Sequence, residues 1–316
     1  MSQPSSSSSS RTSPTALRPL STSLGSLKRS DGSASFSFGN LESLASVNAP
    51  VEVRIRDELT DRATLEVLFQ PLQGVPGIPT KTFTSSLQTL FSSVLLLHHH
   101  PRSLVQLVIQ TTSSPSLSLP TTTTRWSTSS RRDSKDDQGT PQPPPLLLGP
   151  DNPPTPTEKA AAINASSLAL LDAGFPARGT VAACACAVLE RRRGRSIRRS
   201  GGRQGFGGGE TEVEEEEMDP SSTIILLDPT PEELELAIST HVFGFLFYGS
   251  EPSKEDDTLS ADLVMNESVG PVEYEDYLEA MDTCRQGAKS VLGFMRKAIE
   301  RRHLSPSSGQ GGSRGV

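Results

Sequence analysis

Aromatic residues are scarce in this chain: 5% of 316 residues, with one tryptophan and three tyrosines. Hydrophobic residues of all kinds make up only 34%. A sequence this poor in apolar side chains cannot bury enough surface along its whole length to offset the entropy of ordering it. The composition therefore excludes two full domains and predicts one domain of roughly 200 residues carrying disordered tails and insertions. Cysteine is scarce too. Cys184, Cys186 and Cys284 do not make a disulfide framework. The first two sit two apart in an expected strand, with Cα atoms roughly 6.6 Å apart, at the upper limit for a bridge. Free, buried thiols in a reducing compartment are expected. No run reaches the roughly 18 apolar residues of a membrane span, and residues 1–30 are serine-rich without the apolar stretch of a secretory signal. The net charge of −7 argues against a uniformly basic nucleic-acid binder, but the charge is distributed in blocks.

What is present is organised around residues 159–173. Nothing there breaks a helix, alanine recurs on every side, Gly174 stands where a left-handed terminator belongs, and Pro176 forbids continuation. One face carries Ala160, Ile163, Ser167, Leu170 and Leu171, and the other Ala162, Ala165 and Ala169. A helix small and uncharged around most of its girth is buried and closely approached by other backbone.

Before it, residues 1–30 read as a disordered serine-rich tail, and structure is expected to begin at Asp31. Ala34, Phe36 and Phe38 alternate with serines as in a strand, Gly39-Asn40 is a hairpin turn, and 41–48 is the return strand, punctuated by Pro50. Val51, Val53 and Ile55 alternate with Glu52, Arg54 and Arg56, predicting a further strand with a charged face; 63–69 is another. Together these predict an antiparallel meander. Phe83, Leu87, Leu90, Phe91, Val94 and Leu97 have helical spacing, and 104–109 reads as a strand. Beyond the central helix, 180–189 is a strand of small residues, 224–227 resumes the sheet, and 234–247 supplies a strand or hairpin. A last helix carries Tyr274, Leu278, Met281, Ala288, Leu292, Met295 and Ile299 on one face, with Arg296, Lys297, Arg301 and Arg302 near its C-terminus complementing the macrodipole. Residues 112–157 (Ser, Thr, Pro, Gln) and 191–221 (an arginine block, a glycine-rich patch, then glutamates) read as disordered insertions, 249–271 as an acidic loop, and 304–316 as a tail.

No arrangement among these residues points to catalysis by itself. Consecutive histidines His98, His99 and His100 do not face one another, and no cysteine or acid lies at ligand spacing, so no metal site is expected. The glycine-rich run 201–209 lacks the Gly-Lys-Ser/Thr of a phosphate loop. It is read as a solvated loop that, being arginine- and glycine-rich, is also suited to loose contact with RNA backbone. Asn164-Ala-Ser and Asn266-Glu-Ser match the glycosylation pattern, but nothing else suggests an encounter with that machinery.

Taken in order, several short pieces resemble the RNase PH family. They are Asp31-Gly-Ser-Ala-Ser-Phe-Ser-Phe-Gly-Asn40, Ala49-Pro-Val-Glu-Val53, Ala63-Thr-Leu-Glu-Val67, Pro71, Gly77, and Pro101-Arg-Ser-Leu104 with Gln110. The central Ala162-Ile-Asn-Ala-Ser-Ser-Leu-Ala-Leu-Leu-Asp-Ala-Gly-Phe-Pro176 and Leu227-Asp-Pro-Thr230 complete the set. The resemblance covers about residues 30–303. It implies an α+β, RNase PH-like (ribosomal protein S5 domain 2-like) domain over 31–303. It also implies membership of the six-membered ring of RNase PH-like subunits in the RNA exosome. The partners it implies are the other ring subunits, S1/KH cap subunits and RNA, in the nucleus, nucleolus and cytoplasm. Active members cut RNA from the 3′ end with phosphate as nucleophile, using arginines to hold phosphate and paired acids near the reacting centre.

This chain departs from that pattern. The family's Gly-Thr-Arg loop should precede the central helix, where Pro156-Thr-Glu-Lys-Ala160 stands instead. The acidic motif aligns with Asp228-Pro-Thr-Pro-Glu-Glu-Leu234, keeping its first acid and ending in leucine. The helix over 82–97 contains no arginine. The expectation is a catalytically silent ring subunit with no catalytic, cofactor or metal residues, Asp228 being a turn residue before Pro229. The alternatives are an active phosphate-dependent exoribonuclease and a free-standing interaction protein unconnected with RNA. The candidate RNA contacts are Arg54, Arg56, Arg191, Arg192 and Arg193.

Because neither long insertion carries the apolar periodicity of a core element, deletion of 192–218, like deletion of 114–156, is expected to leave the fold intact. Thermal unfolding of each variant checks this; a fall in Tm of more than about 5 °C, on the order of 2 kcal/mol for a domain of this size, overturns it.

Overall fold

The computed structural model describes residues 13–72, 76–115, 153–190, 223–248 and 260–304. Among them are two sheets with one helix between them. The first sheet has five strands in the order β1-β2-β3-β5-β4: β1 (Leu20–Leu24), β2 (Gly32–Phe38), β3 (Leu41–Glu52), β4 (Thr64–Gln70) and β5 (Ser103–Ser113). The second has four, β7-β6-β8-β9: β6 (Thr180–Glu190), β7 (Thr223–Leu227), β8 (Ser239–Tyr248) and β9 (Ser260–Val269). Helix α1 (Ile78–Val94) packs on β4. Helix α2 (Pro156–Asp172) packs on β2 and β3 from one side and on β6 and β8 from the other. The four-residue α3 (Pro231–Leu234) precedes β8, and α4 (Tyr274–Leu304) lies across β6, β7 and β8 and reaches β1.

The expected α+β architecture thus stands, and α2 shows why the chain folds this way. Every residue from Thr157 to Leu170 is buried. Alanines and serines let strands approach on all sides: a Cβ added to Gly32 would lie 2.4 Å from the carbonyl oxygen of Ala169. The helix ends as its sequence predicts. Phe175 N–H donates to the Leu170 carbonyl and Gly174 N–H to the Leu171 carbonyl, both at 3.1 Å, with Gly174 at φ 67°, a left-handed terminator.

Burial obliges α2 to satisfy its polar groups internally. Asn164 is 0% exposed. Its amide donates to the Ala183 carbonyl at 3.0 Å, and its oxygen accepts from the Ala183 N–H at 2.7 Å. Strand β7 pairs with β6 only from Cys186 to Glu190, so Asn164 supplies at Ala183 what a neighbouring strand would. The same burial removes Asn164 as a glycosylation acceptor in the folded chain. The three cysteines are free and buried. Burial first, then Cys184 and Cys186 alongside, push the Cys284 thiol well above its ordinary pKa, so it stays protonated and inert.

Several expectations need correction. Within the supposed tail of 1–30, β1 pairs antiparallel with β2 from Leu20↔Phe38 to Leu24↔Ala34. Its alternation of Leu20, Thr22 and Leu24 toward the protein is hidden in serine-rich sequence, and the hydroxyls work as partners: Thr22 Oγ1 donates to the Ser35 carbonyl at 2.7 Å. The first sheet is not an antiparallel meander. Because α1 carries the chain back across the sheet, β5 enters between β3 and β4 and runs parallel to β4. Residues 51–56 are not a separate strand. β3 continues past Pro50 to Glu52, whose partner Ser103 begins β5; nothing remains beyond it to pair with, and Ile55–Asp57 forms a 3-10 turn.

In the second half, the predicted acidic loop of 249–271 contains edge strand β9. Only Met265 of that strand is buried, which leaves no alternating apolar signal. The strand or hairpin expected over 234–247 starts at Ser239, after α3. The insertion predicted over 112–157 overruns at both ends, since β5 reaches Ser113 and α2 is capped by Thr155. A deletion of 114–156 would remove that cap, so the first test is cleaner when it spares Thr155. Residues 116–152 of that insertion, all of the second, and residues 1–12, 73–75, 249–259 and 305–316 lie outside the described residues.

Asn164→Ala leaves two buried backbone groups without partners, at about 1–3 kcal/mol each. Urea denaturation is expected to show a loss of about 3 kcal/mol; a loss below about 1 kcal/mol would mean the sheet closes over Ala183 without it.

Candidate functional site

The N-terminal end of α2, where the resemblance places a phosphate loop, meets the turn after β7. Thr155 Oγ1 accepts from the Glu158 N–H at 3.3 Å, and Glu158 Oε2 accepts from the Thr155 N–H at 3.4 Å. This reciprocal cap puts a carboxylate at the positive end of the helix. Glu158 Oε1 also accepts from Thr111 Oγ1 at 2.6 Å, inside β5. Burial raises the Glu158 carboxyl above its ordinary pKa, opposed by the Thr111 and Thr155 hydrogen bonds and the Lys159 charge. The next residue, Lys159, is 7% exposed. Its ammonium donates to Glu267 Oε1 on β9 and lies 5.7 Å from the centroid of the Phe83 ring on α1. An anion arriving here meets a carboxylate already capping the helix and a lysine already paired.

Thr157 Oγ1 donates to the Pro229 carbonyl at 3.0 Å, tying the helix start to the aligned acidic motif. Asp228, the retained acid, is 1% exposed and sits at φ 52°, a left-handed turn conformation that Asp tolerates better than most residues. Its carboxylate is gripped by Arg18, which lies just before β1. Nε donates to Oδ2 at 2.7 Å, Nη2 to Oδ1 at 2.6 Å, and the Arg18 backbone N–H to Oδ2 at 3.2 Å. A planar fork on both oxygens is the strongest common geometry for such a pair. Beside it the Leu227 N–H donates to the Pro14 carbonyl at 3.0 Å. Further along the motif, Glu233 serves as the reciprocal cap of α3, accepting from the Thr230 N–H at 2.8 Å, while Glu232 faces solvent.

The candidate RNA contacts do not join this cluster. Arg54 and Arg56 lie exposed at the 3-10 turn after β3, Arg56 beside Asp57 at 3.4 Å. Arg191, Arg192 and Arg193 lie outside the described residues. The rings of His98 and His99 lie 4.3 Å apart and tilted at 34°, and His100 packs against Phe175. Among the described residues no group of three or more His, Cys, Asp or Glu could hold a metal ion, and no helix is long and apolar enough to cross a membrane. Sequence reasoning missed Arg18, Thr111 and Glu267. For Arg18 a signal existed: an arginine and a proline directly before the Leu20, Thr22, Leu24 alternation.

Comparison with known proteins decides the family. The profile of the 3′ exoribonuclease family (RNase PH), domain 1, matches residues 16–176, just over half of the chain and including Arg18. The chain belongs to the RNase PH family. Over 83 residues it is 36% identical to the exosome complex component rrp46 of Schizosaccharomyces pombe; the match spans 26% of this chain and 37% of that protein. The crystal structure of rice (Oryza sativa) Rrp46 superposes with a TM-score of 0.60 at 20% sequence identity, covering 91% of this chain and 97% of that one. At that identity the superposition speaks for the fold, and it extends the RNase PH architecture beyond the profile match into the second sheet.

Arg18→Ala leaves the Asp228 carboxylate buried without its counter-charge, which commonly costs about 3–5 kcal/mol. Urea unfolding is expected to show a loss of about 3 kcal/mol, against less than about 0.5 kcal/mol for the exposed Arg56→Ala. Equal effects of the two substitutions would show that the Arg18 pair does not hold the N-terminal segment.

Proposed function

We propose that this chain is a non-catalytic, RNase PH-like ring subunit of an RNA exosome, supporting 3′-to-5′ processing and degradation of RNA. The observation that carries this reading is the state of the retained acid: Asp228 is buried and held on both oxygens by Arg18. A catalytic carboxylate in phosphoryl chemistry must reach a metal, a water or the substrate, and this one is spent on a clamp. The neighbouring helix end supports the same reading, since Glu158 caps it and Lys159 is paired with Glu267. Stabilising developing charge is most of the work in such reactions, and losing one positioned donor commonly costs about 100-fold or more.

On this proposal the partners are the other RNase PH-like subunits of a six-membered ring, S1/KH cap subunits and RNA. The similarity to the exosome complex component rrp46 of fission yeast supports that assignment. Nucleus, nucleolus and cytoplasm are the compartments where such a complex would work. Arg54 and Arg56, exposed after β3, and the 191–193 block are proposed RNA contacts; such contacts weaken steeply with salt.

The purified chain, given RNA, inorganic phosphate and magnesium, is expected to release no nucleoside diphosphate, and affinity purification from its source to recover other RNase PH-like subunits. Phosphate-dependent release that Asp228→Ala abolishes would replace the scaffold reading with an enzyme. Recovery as a well-behaved monomer without such partners would replace it with a free-standing protein.

A further inference from the structure

The end of the second sheet where β8 begins and β9 stops carries large apolar side chains in solvent. Leu236 is 70%, Val269 62% and Tyr274 74% exposed, and Ile238, Val272 and Leu278 are exposed with them. Topology brings these residues together. Val269 pairs with Thr240 in the β8–β9 ladder, and a Cβ on the adjoining Gly270 would lie 2.4 Å from the Ile238 carbonyl oxygen. Val272 and Tyr274 follow within four residues of Gly270, and Leu278 lies one turn beyond Tyr274 on α4. Contiguous exposed apolar surface of this kind marks an interaction site more often than an accident of composition.

The rim has one sign of charge. Glu232, Glu235, Glu273, Glu275 and Glu279 are all exposed around it, and among the described residues no lysine or arginine occurs between Leu227 and Arg285. A nucleic acid is disfavoured here, because its phosphates would meet these carboxylates. We propose that this end of the sheet docks a segment of another protein that presents several large apolar anchors flanked by lysine and arginine. The anchors fill the surface between Leu236, Val269 and Tyr274, and the cations meet the glutamates, which also reject acidic partners. The chain's own cationic stretch over 191–199 follows β6, whose Val188 pairs with Ser239 at this same end. That stretch contains a single large apolar residue, Ile197, so it supplies charge without anchors. The inference stands on surface chemistry and does not depend on the assignment as a ring subunit.

Fluorescence anisotropy with the full chain and a labelled amphipathic peptide of about 18 leucines and lysines tests it, at about 0.15 M salt. The expected result is saturable binding, weakened at least about tenfold by Leu236→Ser with Tyr274→Ser and by Glu273→Lys with Glu275→Lys. Ile55→Ser, an exposed apolar residue beside the other sheet, is expected to change nothing. A glycine–lysine peptide of equal charge and a leucine–glutamate peptide are expected to bind at least about tenfold more weakly. Equal binding of either control peptide, or no loss in the two double variants, overturns the proposal. So does a gain of about tenfold or more on deleting 192–218, which would give the surface to the chain's own insertion. Self-association of the full chain that Leu236→Ser abolishes would give it to a second copy and overturn the proposal as well.

Discussion

The rest of the structure depends on burying one helix on all sides. A helix enclosed between two sheets has no solvent to take its polar groups and needs small side chains wherever a strand comes close. α2 meets these demands at all but one point, Ser167 Oγ being buried without a hydrogen-bond partner. Its alanines and serines admit β2 and β3 on one side and β6 and β8 on the other, and Gly32 lets β2 come almost into contact with its last turn. Asn164 bonds the Ala183 backbone, Ser166 Oγ donates to the Ala162 carbonyl at 2.7 Å, and the Thr155–Glu158 cap closes the open end. Asp172, at the last turn, accepts from the Ser33 N–H at 2.9 Å and pairs with Arg302 of α4. The helix thereby joins both sheets and the last helix into one unit.

The same constraint shapes the candidate site. The start of a buried helix offers unpaired N–H groups and a positive potential, which serve anion binding when an anion is supplied. Here the chain supplies its own. Glu158 caps the helix, Glu267 takes Lys159, and Asp228 takes Arg18. These pairs bring the N-terminal segment, β5, β7 and β9 to one point. Such a point is suited to holding elements together.

The residues that revealed most in the sequence were those whose environment is local. α2 was legible because helix propensity, terminator and proline all agree along contiguous residues, and its small-residue girth implied burial. α1 and α4 were legible from apolar spacing, and β2 and β3 from alternation about a Gly-Asn turn. Strands β1 and β9 were not. Both lie at sheet edges, where few side chains need be apolar, and both sit in serine-rich or acidic surroundings that resemble loops.

Pairing over long range was the other hidden part. Arg18 and Asp228 are 210 residues apart, Lys159 and Glu267 108, and no local pattern relates them. The parallel placement of β5 beside β4 also follows from how α1 crosses the sheet, not from either strand's composition. By itself, then, the sequence determined the three long helices and where the buried one ends. Only the tertiary structure decided strand order, the role of the serine-rich N-terminal segment, and the partners of each buried charge. The physical reason is that periodicity and capping are properties of neighbouring residues. The partner of a buried charge is set by what the fold brings within about 3 Å of it.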